Sequence, residues 1–412
     1  MSRTLLVGGC VLSLDRKVGN FRRGDVLIED DVIAEVGESV RARDAEVIDA
    51  TDTIVMPGFV DTHRHLWESL FRGDGSSVAT AASECTADDV YAASLIGLLG
   101  AAEAGITTVV DWSQVSTGPH TEAALQAHAD SSLRTVFVDA SSDPESRIRS
   151  RDAASSPLTT FAAGPAGLEE WAVARDLGLR IHAHAGVGGA PADISQMPPM
   201  LGEDVTLVHC SNFSDADLDA VAGSGARIVL TPSSEMASGL QPLQIQKLVD
   251  RGIRPGLGVD TERMAPGDIF AQMRAAISLQ HATLFDLKLA GKAGIPKLLS
   301  TRDVIRYATL DGAGAIGLGR VTGSLTPGMQ ADVIVLRADR PNIFPINDAI
   351  GAVVWGMDTS NVDWVFVAGR PVMRHGALEA DLDRARDLAA VAQQRVKVAS
   401  RALVETGSGG MG

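Results

Sequence analysis

Residues 55–65 read VMPGFVDTHRH: an apolar strand that follows a Pro-Gly turn and ends in two histidines one residue apart. Alternate side chains of a strand share a face, so His63 and His65 leave the chain together. The pattern recurs at residues 180–186, RIHAHAG, with His182 and His184. Working outward, eight apolar strand candidates lie between Gly58 and Gly319: GFVDTHRH, ITTVVDW, RTVFVDA, LTTFAAG, RIHAHAG, VTLVHCS, ARIVLTPSSE and RPGLGVD. Helical or loop segments separate them. That alternation predicts an α/β chain built on a (β/α)8 TIM-type barrel. The helices carry start and stop signals. TADDVYAASLIGLLGAAEAG opens with a Thr-x-x-Asp cap and stops at Gly105, and SDADLDAVAGSG opens on Ser214 as N-cap.

Both ends of the chain have a different texture. TLLVGGCVLSL, GDVLIEDDVIAEVG and AEVIDATDTIVMP alternate apolar and polar residues at period two, as do GSLTPGMQADVIVLRAD and WVFVAGRPVMRHG near the other end. The expected organisation is a composite β-sandwich from residues 1–57 and 320–380, with a catalytic barrel from 58–319 between them. Residues 381–412 close the chain as an amphipathic helix, ADLDRARDLAAVAQQRVKVASRALVE, and a flexible GSGGMG tail.

The 412 residues include 52 acidic and 36 basic side chains, a formal net charge of −16. Duplex binding needs clustered Lys and Arg to neutralise phosphates, so no nucleic-acid partner is expected. Aromatics at 4% leave little for base stacking. Apolar residues at 45% and charged residues at 21% fit a folded core. Cys10, Cys85 and Cys210 are too few and too scattered for a disulfide framework and fit a reducing compartment. The start, MSRTLLVGGCVLSLDRK, lacks a signal-peptide pattern, and no apolar run approaches the ~20 residues that span a bilayer. A cytoplasmic protein with no membrane partner is expected, with a homodimer as the default assembly.

The chemistry gathers at strand ends. His63 and His65 end the first strand, His182 and His184 the fifth, His209 the sixth and Asp260 the eighth. In such a barrel these ends form one rim, where active sites are built. Imidazoles and a carboxylate converging there suit a divalent transition metal. One strand histidine alone would read as structural; two His-x-His pairs and an Asp, all at strand ends, read as a site. His120, His128, His281 and His375 lie in helices or connections and read as solvated.

These motifs resemble the amidohydrolase superfamily over nearly the whole chain. VMPGFVDTHRH resembles its first-strand signature. LVHCSNFSDADLDAVAGSGARIVLTPSSEMASG and GLGVDTERMAPGDIFAQMRAA resemble segments of the cytosine deaminase and triazine chlorohydrolase branch, and TPGMQADVIVLRAD resembles the return into the composite sandwich. The resemblance implies that His63, His65, His184 and Asp260 bind one metal ion, zinc or alternatively iron. It implies that Asp260 also takes a proton from the attacking water, and that His209 contacts substrate, water or metal. Two-metal members use a bridging lysine on strand four. No lysine lies between Lys17 and Lys247, a span covering strands one to six, so a single metal is expected.

One position departs from the pattern. Deaminases of that branch carry a Glu three residues after the strand-five His, and here the position is Val187. His182 or Glu235 is a candidate to supply the missing proton transfer. Glu68 and Glu262 lie just beyond strands one and eight, and Glu262 reads as a surface or salt-bridged carboxylate. Trp67, Arg72 and Trp112 are candidate substrate contacts: Trp112 could stack on a planar ring and Arg72 could clamp a carboxylate. Alternatively Trp67 packs on the rim and Arg72 pairs with a nearby acid. Cys210 reads as core. The short segment from Trp112 to Arg180 leaves little for large covering loops, so the pocket is expected to be open or completed by a neighbouring subunit.

The leading reading is a metal-dependent, deaminase-like hydrolase cleaving a non-peptide C–N bond of a small nitrogen heterocycle, cyclic amide or amidine. The same centre cleaving a carbon–halogen or carbon–sulfur bond, or decarboxylating, is the second reading. A catalytically silent binding or scaffold barrel is a third, disfavoured because every expected ligand is present.

Overall fold

The computed structural model describes residues 2–74, 84–114, 118–140, 156–165, 167–186, 198–240 and 245–407, with side chains described up to residue 398. The GSGGMG tail beyond 407 lies outside the described residues, as does Val187.

The period-two stretches at both ends form one continuous nine-stranded sheet. The N-terminal part supplies β1 (Arg3–Leu12), β2 (Asn20–Glu29), β3 (Val32–Gly37), β4 (Glu46–Asp49) and β5 (Thr53–Pro57). The C-terminal part supplies β14 (Val333–Arg337), β15 (Val362–Val367), β16 (Arg370–Arg374) and β17 (Ala377–Leu378). The strand order is β17-β16-β15-β14-β5-β1-β2-β3, with β4 also on β1. The two chain ends meet where β14 pairs antiparallel with β5, from Val333↔Pro57 to Arg337↔Thr53. Leu6, Val11, Val26, Ile28, Ile33, Val333, Val335, Trp364 and Phe366 form a core of their own within this sheet.

Immediately after β5 the chain enters the barrel. Gly58 makes that turn possible: a Cβ there would lie 2.1 Å from the Thr107 side chain. The barrel strands are β6 (Phe59–Arg64), β7 (Ile106–Ser113), β8 (Arg134–Asp139), β9 (Thr159–Ala163), β10 (Arg180–Ala185), β11 (Val205–His209), β12 (Arg227–Leu230) and β13 (Gly256–Leu257). All pairings between them are parallel and neighbours follow chain order. A bridge between Arg64 and Asp260 closes the ring. There His65 N donates to Asp260 O and Asp260 N to His63 O, both at 2.8 Å. Every strand expected from the sequence is present. Two are much shorter than expected: ARIVLTPSSE stops being strand at Leu230, where Pro232 opens a short helix, and RPGLGVD keeps only Gly256–Leu257.

The near-continuous apolar runs of these strands follow from burial on both faces. Val60, Val110, Val136, Val138 and Ala162 cluster with Ala313, Ile316 and Leu318. On other faces Phe59, Val109, Ile181, Leu207 and Ile228 join the large core shared with the helices. Helix α1 (Ala87–Glu103) starts with the expected capping box between Thr86 and Asp89, and α2 (Gly118–Ser131) packs beside it. α3 (Asp215–Ser224) starts with the Ser214 cap and ends at Gly225 in the left-handed region, φ +83°. α4 (Pro232–Ala237) and α5 (Ile269–Leu289) follow strands seven and eight. The closing helix α6 (Leu382–Gly407) lies on α1, burying Ala385, Ala392 and Val396, with Arg395 paired to Asp89. Among the described residues no helix is long and apolar enough to cross a membrane.

The expectation that His128 is solvated is corrected. It faces inward from α2, fully buried, with Nε2 2.9 Å from Asp111 Oδ2. His120 and His281 bond backbone carbonyls of Cys85 and Leu299, and His375 is exposed beside Trp364.

Candidate metal centre

The ends of strands one, five, six and eight bring four imidazoles and a carboxylate together. His184 Nε2 lies 3.1 Å from His63 Nε2. Asp260 Oδ1 lies 3.3 Å from His65 Nε2 and 3.6 Å from His63 Nε2. His209 joins them, with a ring nitrogen within 4.8 Å of the His63 and Asp260 donor atoms. A register shift between Asp61 and Arg64 lets both His63 and His65 turn into this cluster while Arg64 turns the other way. Backbone strain marks the same place. His209, Cys210 and Asp260 have φ of +72°, +57° and +66°, and such conformations cost roughly 1–3 kcal/mol each in a non-glycine residue.

The electrostatics fit a cation. Burial, then the neighbouring imidazoles, hold His63 and His184 well below the ordinary histidine range, so both stay neutral with lone pairs available. Burial works against an ionised Asp260, but the His65 hydrogen bond and the facing imidazoles outweigh it, and the carboxyl sits well below its usual range. Three imidazole nitrogens and one carboxylate oxygen form a donor set suited to zinc or ferrous iron. The spacings of 3.1, 3.3 and 3.6 Å bracket the edge, about 3.3 Å, of a tetrahedron with ligands at ~2.0–2.1 Å. His63, His65, His184 and Asp260 could therefore hold one metal ion.

The other sequence candidates separate. Trp112 lines the cluster, its ring 4.2 Å from that of His184. Glu235 does not reach over the rim. It is buried, with Oε1 3.0 Å from His209 Nδ1 and 2.9 Å from the Thr231 N–H, because the chain turns helical at Pro232 and directs it back onto strand six. His182 is corrected as a proton source. It is fully buried, its ring makes no hydrogen bond among the described residues, and burial pushes it down to about 3. An imidazole that stays neutral at pH 7 is no acid. Trp67 is corrected as a substrate contact: it is buried in the 3-10 turn Leu66–Phe71, packed with Leu70, Phe71, Cys85 and Val90. Arg72 is likewise occupied, its Nε and Nη2 bonding Glu262 Oε1 and Oε2 at 2.8 and 3.0 Å, which is the alternative the sequence left open. Glu68 accepts a bond from Thr261. Cys210 is core, its thiol pushed far up by burial.

Three features escaped sequence reasoning. Arg64, 1% exposed, sits between Asp61 (3.1 Å) and Glu262 (3.0 Å), so a buried ion network ties strand one to the segment after strand eight. Asp61 also accepts the Val259 N–H at 3.0 Å, one residue before Asp260. Ser234 Oγ donates to Asp260 Oδ2 at 2.5 Å. Asp61 and Arg64 lie inside the DTHRH motif, and attention to its residues other than the histidines would have found them.

A parallel barrel with imidazoles and a carboxylate at its strand ends defines the metal-dependent hydrolase class, and comparison makes the class specific. Residues 54–372 match the model of the amidohydrolase family, and the chain belongs to that family. Deaminase-named members of the family are hydrolases that act on carbon–nitrogen bonds. Among the chain's relatives is a 5'-deoxyadenosine deaminase of Methanothermobacter thermautotrophicus, 29% identical over 410 residues that cover 88% of this chain and 92% of the relative. The fold matches a zinc-bound adenosine deaminase from Xanthomonas campestris with a TM-score of 0.83 at 19% identity, covering 96% of this chain and 99% of the other. It also matches an atrazine chlorohydrolase from Arthrobacter aurescens in complex with zinc, with a TM-score of 0.80 at 20% identity, covering 95% and 100%.

Proposed function

We propose that this chain is a mononuclear metal-dependent hydrolase that removes an amino group from a small nitrogen heterocycle. Adenine nucleosides altered at the 5' position are the first class to test. The observation that carries this is the cluster itself: His63, His65, His184 and Asp260 at the barrel mouth, linked by donor-atom distances of 3.1 Å (His184 to His63), 3.3 Å (Asp260 to His65) and 3.6 Å (Asp260 to His63). The named activity of the 5'-deoxyadenosine deaminase relative supports the substrate class. Zinc is the proposed ion, with iron the alternative, and when bound it would lower the pKa of a water to about 7.

The chain's own residues then divide the work. Asp260, ionised beside His65, accepts the proton of the attacking water as its oxygen bonds the ring carbon. The same proton is delivered to the leaving nitrogen, the carbon–nitrogen bond breaks, and ammonia departs. Glu235 accepts a hydrogen bond from His209 Nδ1–H, which fixes the tautomer and leaves the other ring nitrogen for substrate or water. Trp112 offers an apolar wall beside His184.

Val187 favours a second reading for one reason. The branch's usual Glu at this position passes a proton to the ring nitrogen in deamination, and valine has none to pass; chloride is a better leaving group than an amine and departs as an anion, without a proton of its own. The zinc-loaded protein should therefore be assayed for ammonia with 5'-deoxyadenosine and with aminated purines, pyrimidines and triazines, and in parallel for chloride with chlorinated triazines. Ammonia release in proportion to enzyme supports deamination. Chloride release without ammonia from any amine would replace it with the second reading.

A further inference from the structure

We propose that Ser234 is a positioning residue for Asp260, holding the carboxylate in the one rotation that serves both its neighbours. The proposal rests on the reading of Asp260 as metal ligand and proton acceptor given above. The two oxygens of Asp260 are used differently. Oδ1 faces His65 at 3.3 Å and His63 at 3.6 Å, while Oδ2 accepts the Ser234 hydroxyl at 2.5 Å. Rotation about the last bond of an Asp side chain is broad and weakly restrained, so the carboxylate needs an external partner to choose an orientation. The local strand gives little help: β13 is two residues long, and Asp260 lies beyond it with φ +66°.

Ser234 itself is rigidly held. It is 1% exposed and sits inside α4. The preceding Ser233 N–H donates to Gln272 Oε1 at 3.1 Å, and Gln272 on α5 is fully buried, its amide donating to Pro266 O. The next residue, Glu235, closes the turn through its N–H to Thr231 O at 2.9 Å and bonds His209. One short helix after strand seven therefore grips the strand-eight carboxylate through Ser234 and the strand-six imidazole through Glu235. The switch from strand to helix at Pro232 is what turns these adjacent residues toward two different neighbours. Partners that orient metal ligands typically influence metal retention or activity by about 10–100-fold.

The test compares wild type, Ser234→Ala and Ser234→Thr, each loaded with zinc. The first readout is the rate of zinc transfer to a chromophoric chelator, which needs no substrate. The second is the visible spectrum of the cobalt(II)-loaded forms, which reports ligand geometry. The third is kcat and KM for ammonia release. Ser234→Ala should lose zinc about 10–100-fold faster, shift the cobalt spectrum and lower kcat with little change in KM. Ser234→Thr keeps the hydroxyl and should restore all three toward wild type. Zinc loss and a cobalt spectrum unchanged in Ser234→Ala would overturn the proposal, as would a Ser234→Thr protein that folds yet behaves like Ser234→Ala. If wild type itself neither retains zinc nor releases ammonia, the functional reading fails before the variants are compared.

Discussion

Asp260→Asn is expected to lower kcat by about 10²–10⁴-fold, the contribution typical of a positioned acid–base group. The amide keeps the size of the carboxylate and can still meet Ser234. It loses the negative charge and the ability to take a proton from water. Four imidazoles then crowd the rim without the anion that now lies 3.3 Å from His65. Retention of zinc should weaken in the same variant, because a dication held by neutral donors alone loses its only charged ligand. The measurement is steady-state ammonia release with zinc content determined on the same sample. A variant with wild-type kcat would remove Asp260 from the chemistry.

Glu262→Gln is expected to lower stability by about 3 kcal/mol. Its carboxylate bonds Arg64, Arg72 and the Ser69 hydroxyl, and Arg64 is sealed from water. Removing one partner of a buried pair costs about 3–5 kcal/mol where the other charge is left alone; Arg64 keeps Asp61, so the low end, about 3 kcal/mol, is expected. The pH dependence follows. Burial opposes ionisation of Glu262, but Arg64 and Arg72 outweigh it and draw the carboxyl from 4.5 down to about 2. A group lowered in the folded state contributes its stability above the unfolded value and loses it as pH falls through the folded value. The gap between wild type and Glu262→Gln should thus be full above pH 4.5 and narrow between there and about 2. Denaturant titrations at pH 7 and pH 3.5 check this. A gap below 1 kcal/mol at pH 7, or one that widens in acid, would contradict the account of this network.

What the sequence made legible follows from chemistry that sits in short motifs. Eight apolar runs were enough to place the strands, because parallel barrel strands are buried on both faces. His63, His65, His184 and Asp260 were legible because strand alternation and the strand-end rule act locally. The misreadings arose where orientation depends on a partner distant in sequence. The acid that pairs with Arg72 could not be named because Glu262 lies 190 residues away. Trp67 looked available because nothing local shows that the turn after strand one folds inward. His128 lies among Ala124, Leu125 and Ala127 on the buried face of α2, and its partner Asp111 belongs to a strand. Glu235 was noticed but aimed wrongly, since the strand appeared to continue through Pro232. Proline at the first helical position was the signal to stop it there.

His63, His65, His184 and Asp260 are proposed to hold one metal ion. Elemental analysis of the purified protein, before and after reconstitution with zinc, tests it most directly. The account predicts about one equivalent per chain, zinc or iron, removable by chelation and restored together with ammonia release. No bound metal after reconstitution, or two equivalents per chain, would contradict it.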